Sequence, residues 1–87
     1  MRRTIASAIV FAGTSMRYKG YEVEPSAYAL PSGLYAANLI IETALPAVES
    51  SFSFEALDYF FEPDHAIAYA SRWARVWIDQ RAKRAAQ

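Results

Sequence analysis

The chain contains no cysteine, which excludes a disulfide framework and a thiolate metal site. It has a single histidine, His65. A nucleophilic triad needs an imidazole held by a carboxylate close in space, and the sequence neighbour Asp64 points elsewhere on a helix. Glu62, Asp64 and His65 also lack the i, i+4 spacing that sets two metal ligands on one helix face. The glycines, Gly13, Gly20 and Gly33, are too scattered to form a phosphate-cradling loop. No apolar run approaches the roughly 18 residues of a membrane span. The expectation is a protein that is not an enzyme, with no cofactor and no metal.

Charge is missing by sign as well as by type. Residues 1–20 hold Arg2, Arg3, Arg17 and Lys19 and no acid. Residues 21–64 hold Glu22, Glu24, Glu42, Glu49, Glu55, Asp58, Glu62 and Asp64 and no base. Residues 65–87 hold Arg72, Arg75, Arg81, Lys83 and Arg84 against Asp79 alone. The blocks cancel to a formal net charge of zero, so a neutral total hides a dipolar chain. Such patterning bears on association and orientation.

What is present is apolar: 54 % of the 87 residues are hydrophobic and 15 % aromatic. That is enough to offset ordering entropy in one small domain. A small interior cannot hide so many rings, so some are expected at the surface or in a partner. Residues 1–15 form an N-terminal arm with three readings. Arg2 and Arg3 before the apolar stretch Ile5 to Ala12 resemble a short signal peptide. Met16 offers an alternative start. An ordered extra element is the third. A cytoplasmic location follows from the second and third readings, export from the first.

Residues 16–87 read as a single domain of strand, strand, strand, helix. Tyr21 and Val23 alternate with Glu22 and Glu24, and Pro25 marks an edge strand or a bulge. Pro31, Ser32 and Gly33 make a tight connection. Leu34 to Glu42 is the second strand, with Tyr35, Ala37, Leu39 and Ile41 on one face. Leu34, Ala36, Asn38 and Ile40 lie on the other. A polar loop follows, and Phe52 to Phe60 is the third strand, with a parity slip near Glu55 and Ala56 that marks a bulge.

The helix begins at Pro63, suited to a first position, with Asp64 favoured there by the helix dipole. Ala66, Ile67, Ala70, Trp73, Ala74, Trp77 and Ile78 share its inner face. Ser71, Arg72, Arg75, Asp79 and Lys83 lie opposite, and Arg75 and Asp79 are set to pair at i, i+4. The fold class expected is α+β: a three-stranded antiparallel sheet with one C-terminal helix on one face. The second strand is apolar on both faces, so the N-terminal segment, another subunit or a ligand should cover the far face.

Tyr18–Lys19–Gly20–Tyr21–Glu22–Val23, the Gly33 hairpin, Pro63–Asp64–His65–Ala66–Ile67 and Trp73–Ala74–Arg75–Val76–Trp77–Ile78–Asp79 together resemble small βββα proteins of Burkholderia-type bacteria. The resemblance covers residues 16–80 and implies a fold without chemistry. An αβββα double-stranded-RNA-binding domain would need lysines where Glu62, Asp64 and His65 stand. MbtH-like proteins would need a Trp-bearing strand, whereas Trp73 and Trp77 fall on the helix.

The functional expectation is a small interaction module that self-associates or docks a protein partner through Leu34, Ala36, Asn38 and Ile40. The alternative is an accessory nucleic-acid-binding domain using Arg17, Lys19, Arg81, Lys83 and Arg84. The isoelectric point near 6.6 disfavours that alternative.

Overall fold

The computed structural model describes residues 9–43 and 50–85. These described residues form an α+β domain: six antiparallel strands in one sheet and a single C-terminal helix. The expected first strand is β3 (Tyr21–Ala29) and the second is β4 (Tyr35–Thr43). They form the centre of the sheet, in register from Tyr21 opposite Thr43 to Ala29 opposite Tyr35. The expected third strand is divided into β5 (Ser51–Phe54) and β6 (Tyr59–Phe60), both paired with β4. On the other side, β1 (Val10–Ala12) and β2 (Met16–Tyr18) both pair with β3. The three-stranded expectation is thus corrected to six strands in four rows, with both outer rows broken.

Each break has a local cause. Pro25 lies in an inner strand and not at an edge. The Gly13 N–H donates to the Pro25 carbonyl at 2.9 Å, so the side of Pro25 that lacks an N–H faces the gap between β1 and β2. Glycine is required at position 13 for space: a Cβ there would sit 2.5 Å from Cγ2 of Ile67 and 3.0 Å from Cγ of Pro25. In the other outer row, Ala56 adopts φ +54° and the chain bulges between β5 and β6. The Leu57 N–H donates to the Ala37 carbonyl at 2.8 Å, and the Ala37 N–H donates to the Asp58 carbonyl at 2.9 Å. The bulge expected near Glu55 and Ala56 therefore stands where parity placed it.

The turns follow their residues. Lys19 and Gly20 take φ +48° and +87°, joining β2 to β3 through a two-residue loop. Both positive angles suit a type I′ hairpin, whose twist matches the flanking strands. Pro31, Ser32 and Gly33 join β3 to β4, with the Gly33 N–H donating to the Leu30 carbonyl at 3.0 Å.

The helix α1 (Pro63–Ala85) covers the odd-numbered face of β3 and β4. Val23, Ala27, Ala37, Leu39 and Ile41 are enclosed beneath Ala66, Ala70, Ala74 and Ile78. Among the described residues six of the ten buried apolar side chains are alanines, so the helix backbone can lie close to the sheet. The large rings wall this thin core along β5 and β6. Trp77 packs on Phe52 at 5.0 Å, Trp73 on Phe54 at 4.8 Å, and Tyr69 on Phe60 at 5.3 Å between ring centroids. Trp73 and Trp77 are half-buried, on the helix face that periodicity assigned them.

Of the N-terminal arm, residues 10–12 are β1, and residues 1–8 lie outside the described residues. Most of the loop expected over residues 43–51 also lies outside them, at 44–49.

Candidate functional site

Strand parity decides what the uncovered face carries. With odd residues of β3 and β4 beneath α1, every acid of these strands is even and faces away: Glu22, Glu24 and Glu42. Glu22 is directly opposite Glu42, a destabilising juxtaposition of like charges. Arg17, opposite Glu22 on β2, relieves it through contacts of 3.0 and 3.1 Å to the Glu22 carboxylate. Glu55, from the bulge, borders the same face beside Asn38 and Ile40.

At the other end the face turns apolar. The pairings Val10–Tyr28, Tyr28–Ala36 and Ala36–Tyr59 set four residues in one row across four strands. Val10 is 53 % exposed and Tyr59 51 %, with Ile40 at 38 % toward the acidic end. Ala36 is buried as the floor of the row. A shallow depression of about 370 Å³ runs over this floor, lined by Tyr28, Leu30, Asn38, Glu55 and Tyr59.

Of the four residues proposed from sequence for this face, Ala36 and Ile40 stand on it as expected. Leu34 precedes β4 and is half-buried. Asn38 is on the face, but its Oδ1 accepts the Ala56 N–H at 2.8 Å and so holds the bulge in shape. Sequence reasoning missed Tyr28 and Tyr59, which lie in strands beside the one it examined, and Val10, one strand further out on β1. The even parity that Tyr28 shares with Glu22 and Glu24 could have found Tyr28, and the parity slip at the bulge could have found Tyr59; Val10 carried no such signal.

The basic candidates separate. Arg17 is on the acidic face and bonded there to Glu22. Lys19 lies at the β2–β3 turn, where its Nζ meets Asp79 Oδ1 at 2.8 Å. The Tyr18 hydroxyl donates to the same carboxylate at 2.9 Å. The Lys19 hydrogen bond, and then that of Tyr18, hold the Asp79 carboxyl below its ordinary value, and Asp79 in turn raises the Lys19 ammonium. Asp79 therefore ties α1 to the β2–β3 hairpin and does not form the expected i, i+4 pair with Arg75. The Arg75 guanidinium lies 3.9 Å from the Met16 sulfur.

Arg81 folds back over the aromatic wall, 4.9 Å from the Phe52 ring and 5.1 Å from Trp77, and donates to the Tyr21 hydroxyl at 3.3 Å. Lys83 and Arg84 are exposed in the last turn, as the helix dipole favours. His65 is exposed in the first turn, 3.7 Å from Glu62. Among the described residues no group of three or more acidic or histidine side chains is arranged to hold a metal ion. None of the helices is long and apolar enough to cross a membrane, again among the described residues. No family model, curated protein or solved structure matches the chain.

Proposed function

We propose that the protein is a small interaction module that binds protein, another copy or a different chain, through the open face of its sheet. The observation that carries this reading is the in-register row Val10–Tyr28–Ala36–Tyr59, extended by Ile40, on a face that no described element covers. An antiparallel sheet can leave one face to water, but that face then alternates to polar residues. Here the face is polar at one end and apolar across four strands at the other, the composition of a contact patch with a polar rim.

The nucleic-acid reading keeps Lys83 and Arg84 on the helix end, while Arg81 is turned back onto the aromatic wall. It loses Arg17 to Glu22 and Lys19 to Asp79, so fewer free cations remain for phosphate.

A photocrosslinking residue tests the reading. Benzoylphenylalanine placed at Ile40 should form a protein adduct in cells that make the chain, and adding Tyr28→Glu should abolish it. The same probe at Ser32, in the β3–β4 turn, should give none. No adduct from position 40, or an equal yield from position 32, would sink the proposal.

A further inference from the structure

Among the described residues the open face carries Glu22, Glu24, Glu42 and Glu55 against Arg17, a formal excess of negative charge. Two such faces pressed together would bury like charge on like, with Arg17 as the one described cation of each face to compensate. The apolar row therefore asks for an occupant that is cationic around an apolar centre.

The chain itself has such a surface on its opposite side. The outer stripe of α1 presents Arg72, Arg75 and Lys83 around Val76, which is 51 % exposed. Val76 follows Arg72 by one helical turn and precedes Lys83 by two, so these three share one side of the helix. The single acid nearby, Asp79, is already engaged by Tyr18 and Lys19. Dimensions agree as well. The 23 residues of α1 span about 34 Å at helical rise, and the nine residues of β3 or β4 about 30 Å at strand rise.

We infer that the outer face of α1 of one copy docks on the open sheet face of a second copy, head to tail. This rests on the reading of the open face as a docking surface and names its occupant. Each sheet then has a helix on both faces, completing a layer that no described element of the single chain supplies. The contact is heterologous: the two surfaces differ, so each copy keeps one of each free. Assembly continues past two copies until it closes in a ring or runs on as a filament.

Sedimentation velocity on the full chain tests this. At low salt the mass should rise with concentration beyond a dimer, and at about 1 M salt, where the screening length is ~3 Å, it should fall back. A helix variant, Arg72→Ser with Val76→Ser, and a face variant, Glu24→Lys with Ile40→Lys, should each be monomeric when alone. Melting curves close to the wild type show that they fold, and Glu42→Lys replaces Glu24→Lys if the face variant does not. Mixed in equal amounts, the two should form a complex of two copies that grows no further, since one supplies the only intact face and the other the only intact helix.

A fixed dimer that strengthens with salt, or a variant that still associates alone, would overturn head-to-tail docking. So would a wild type that stays monomeric at every concentration. If that monomer still forms an adduct at position 40 with a different protein, only the choice of occupant fails. With no adduct, the docking reading fails too.

Discussion

Ile40 and Ile41 are neighbours on β4, yet Ile41 is fully enclosed beneath α1 while Ile40 stands partly in water on the opposite face. The same comparison extends along both inner strands. Beneath the helix lie Val23, Ala27, Ala37, Leu39 and Ile41; on the far side lie Glu22, Glu24, Tyr28, Asn38 and Glu42. One face meets small residues on α1 and closes tightly. The other mixes carboxylates with exposed rings and has no cover among the described residues. The contrast separates residues that hold the fold from residues available for contact.

Substitutions on either side sharpen the contrast. Ile41→Ala should cost about 4 kcal/mol in a chemical denaturation curve, because it leaves a cavity in a closed core. Ile40→Ala should cost under about 0.5 kcal/mol, since an exposed side chain leaves no cavity. Equal losses would mean that the open face is covered in solution by the chain itself. Trp77→Ala should follow at about 3 kcal/mol, the low end for a tryptophan, because the ring is only half-buried against Phe52 and Tyr21. An unchanged melting temperature would move the aromatic wall out of the core.

Gly13→Ala should destabilise by about 1–3 kcal/mol, as its methyl would press Ile67 and Pro25 apart. A neutral outcome in thermal unfolding would show that α1 is not seated on that corner. Ala56→Gly should act in the opposite direction, adding about 1 kcal/mol by relieving a left-handed alanine. Its absence would place the bulge elsewhere.

The smallest effect concerns pH. The Asp79 carboxyl is held below its unfolded value, so its contribution is complete above the ordinary carboxylate range. It is lost as pH falls through the folded value. Lys19 is raised, so its share is complete below the ordinary lysine range and is lost as pH rises through the folded value. Both groups are about half exposed, and solvent screening keeps the effect slight. Asp79→Asn should flatten the acid limb of a stability-against-pH curve by a small amount. An identical acid limb in the variant would remove Asp79 from the account.

The long elements were legible because their patterns repeat. The alternation of Tyr21 and Val23 with Glu22 and Glu24, and the helical period from Ala66 to Ile78, marked the inner faces of β3 and α1, whereas β4, apolar on both sides, did not show which of its faces the helix covers. The bulge at Ala56 was legible as a parity slip. β1 and β2 were not, since three residues are too few for a period. Lys19–Gly20 also lacks the Asn or Asp that commonly marks a two-residue hairpin.

Asp79 was misread for a different reason. Its place on the helix wheel points outward, and its partners, Lys19 and Tyr18, lie 60 and 61 residues upstream, beyond the reach of helical spacing. The candidate face was half legible: strand two gave its apolar floor and Ile40, while Val10, Tyr28 and Tyr59 needed the register of the strands beside it.

The interruptions in both outer rows have one more consequence. A fibril grows when an incoming strand finds a straight run of six or seven free backbone groups to pair with. Among the described residues the longest outer strand, β5, offers four residues, and β1, β2 and β6 offer three or two. Gly13 and Ala56 thus act as brakes on edge pairing. The domain can display Tyr28, Ile40 and Tyr59 to a partner without its rims becoming templates for amyloid.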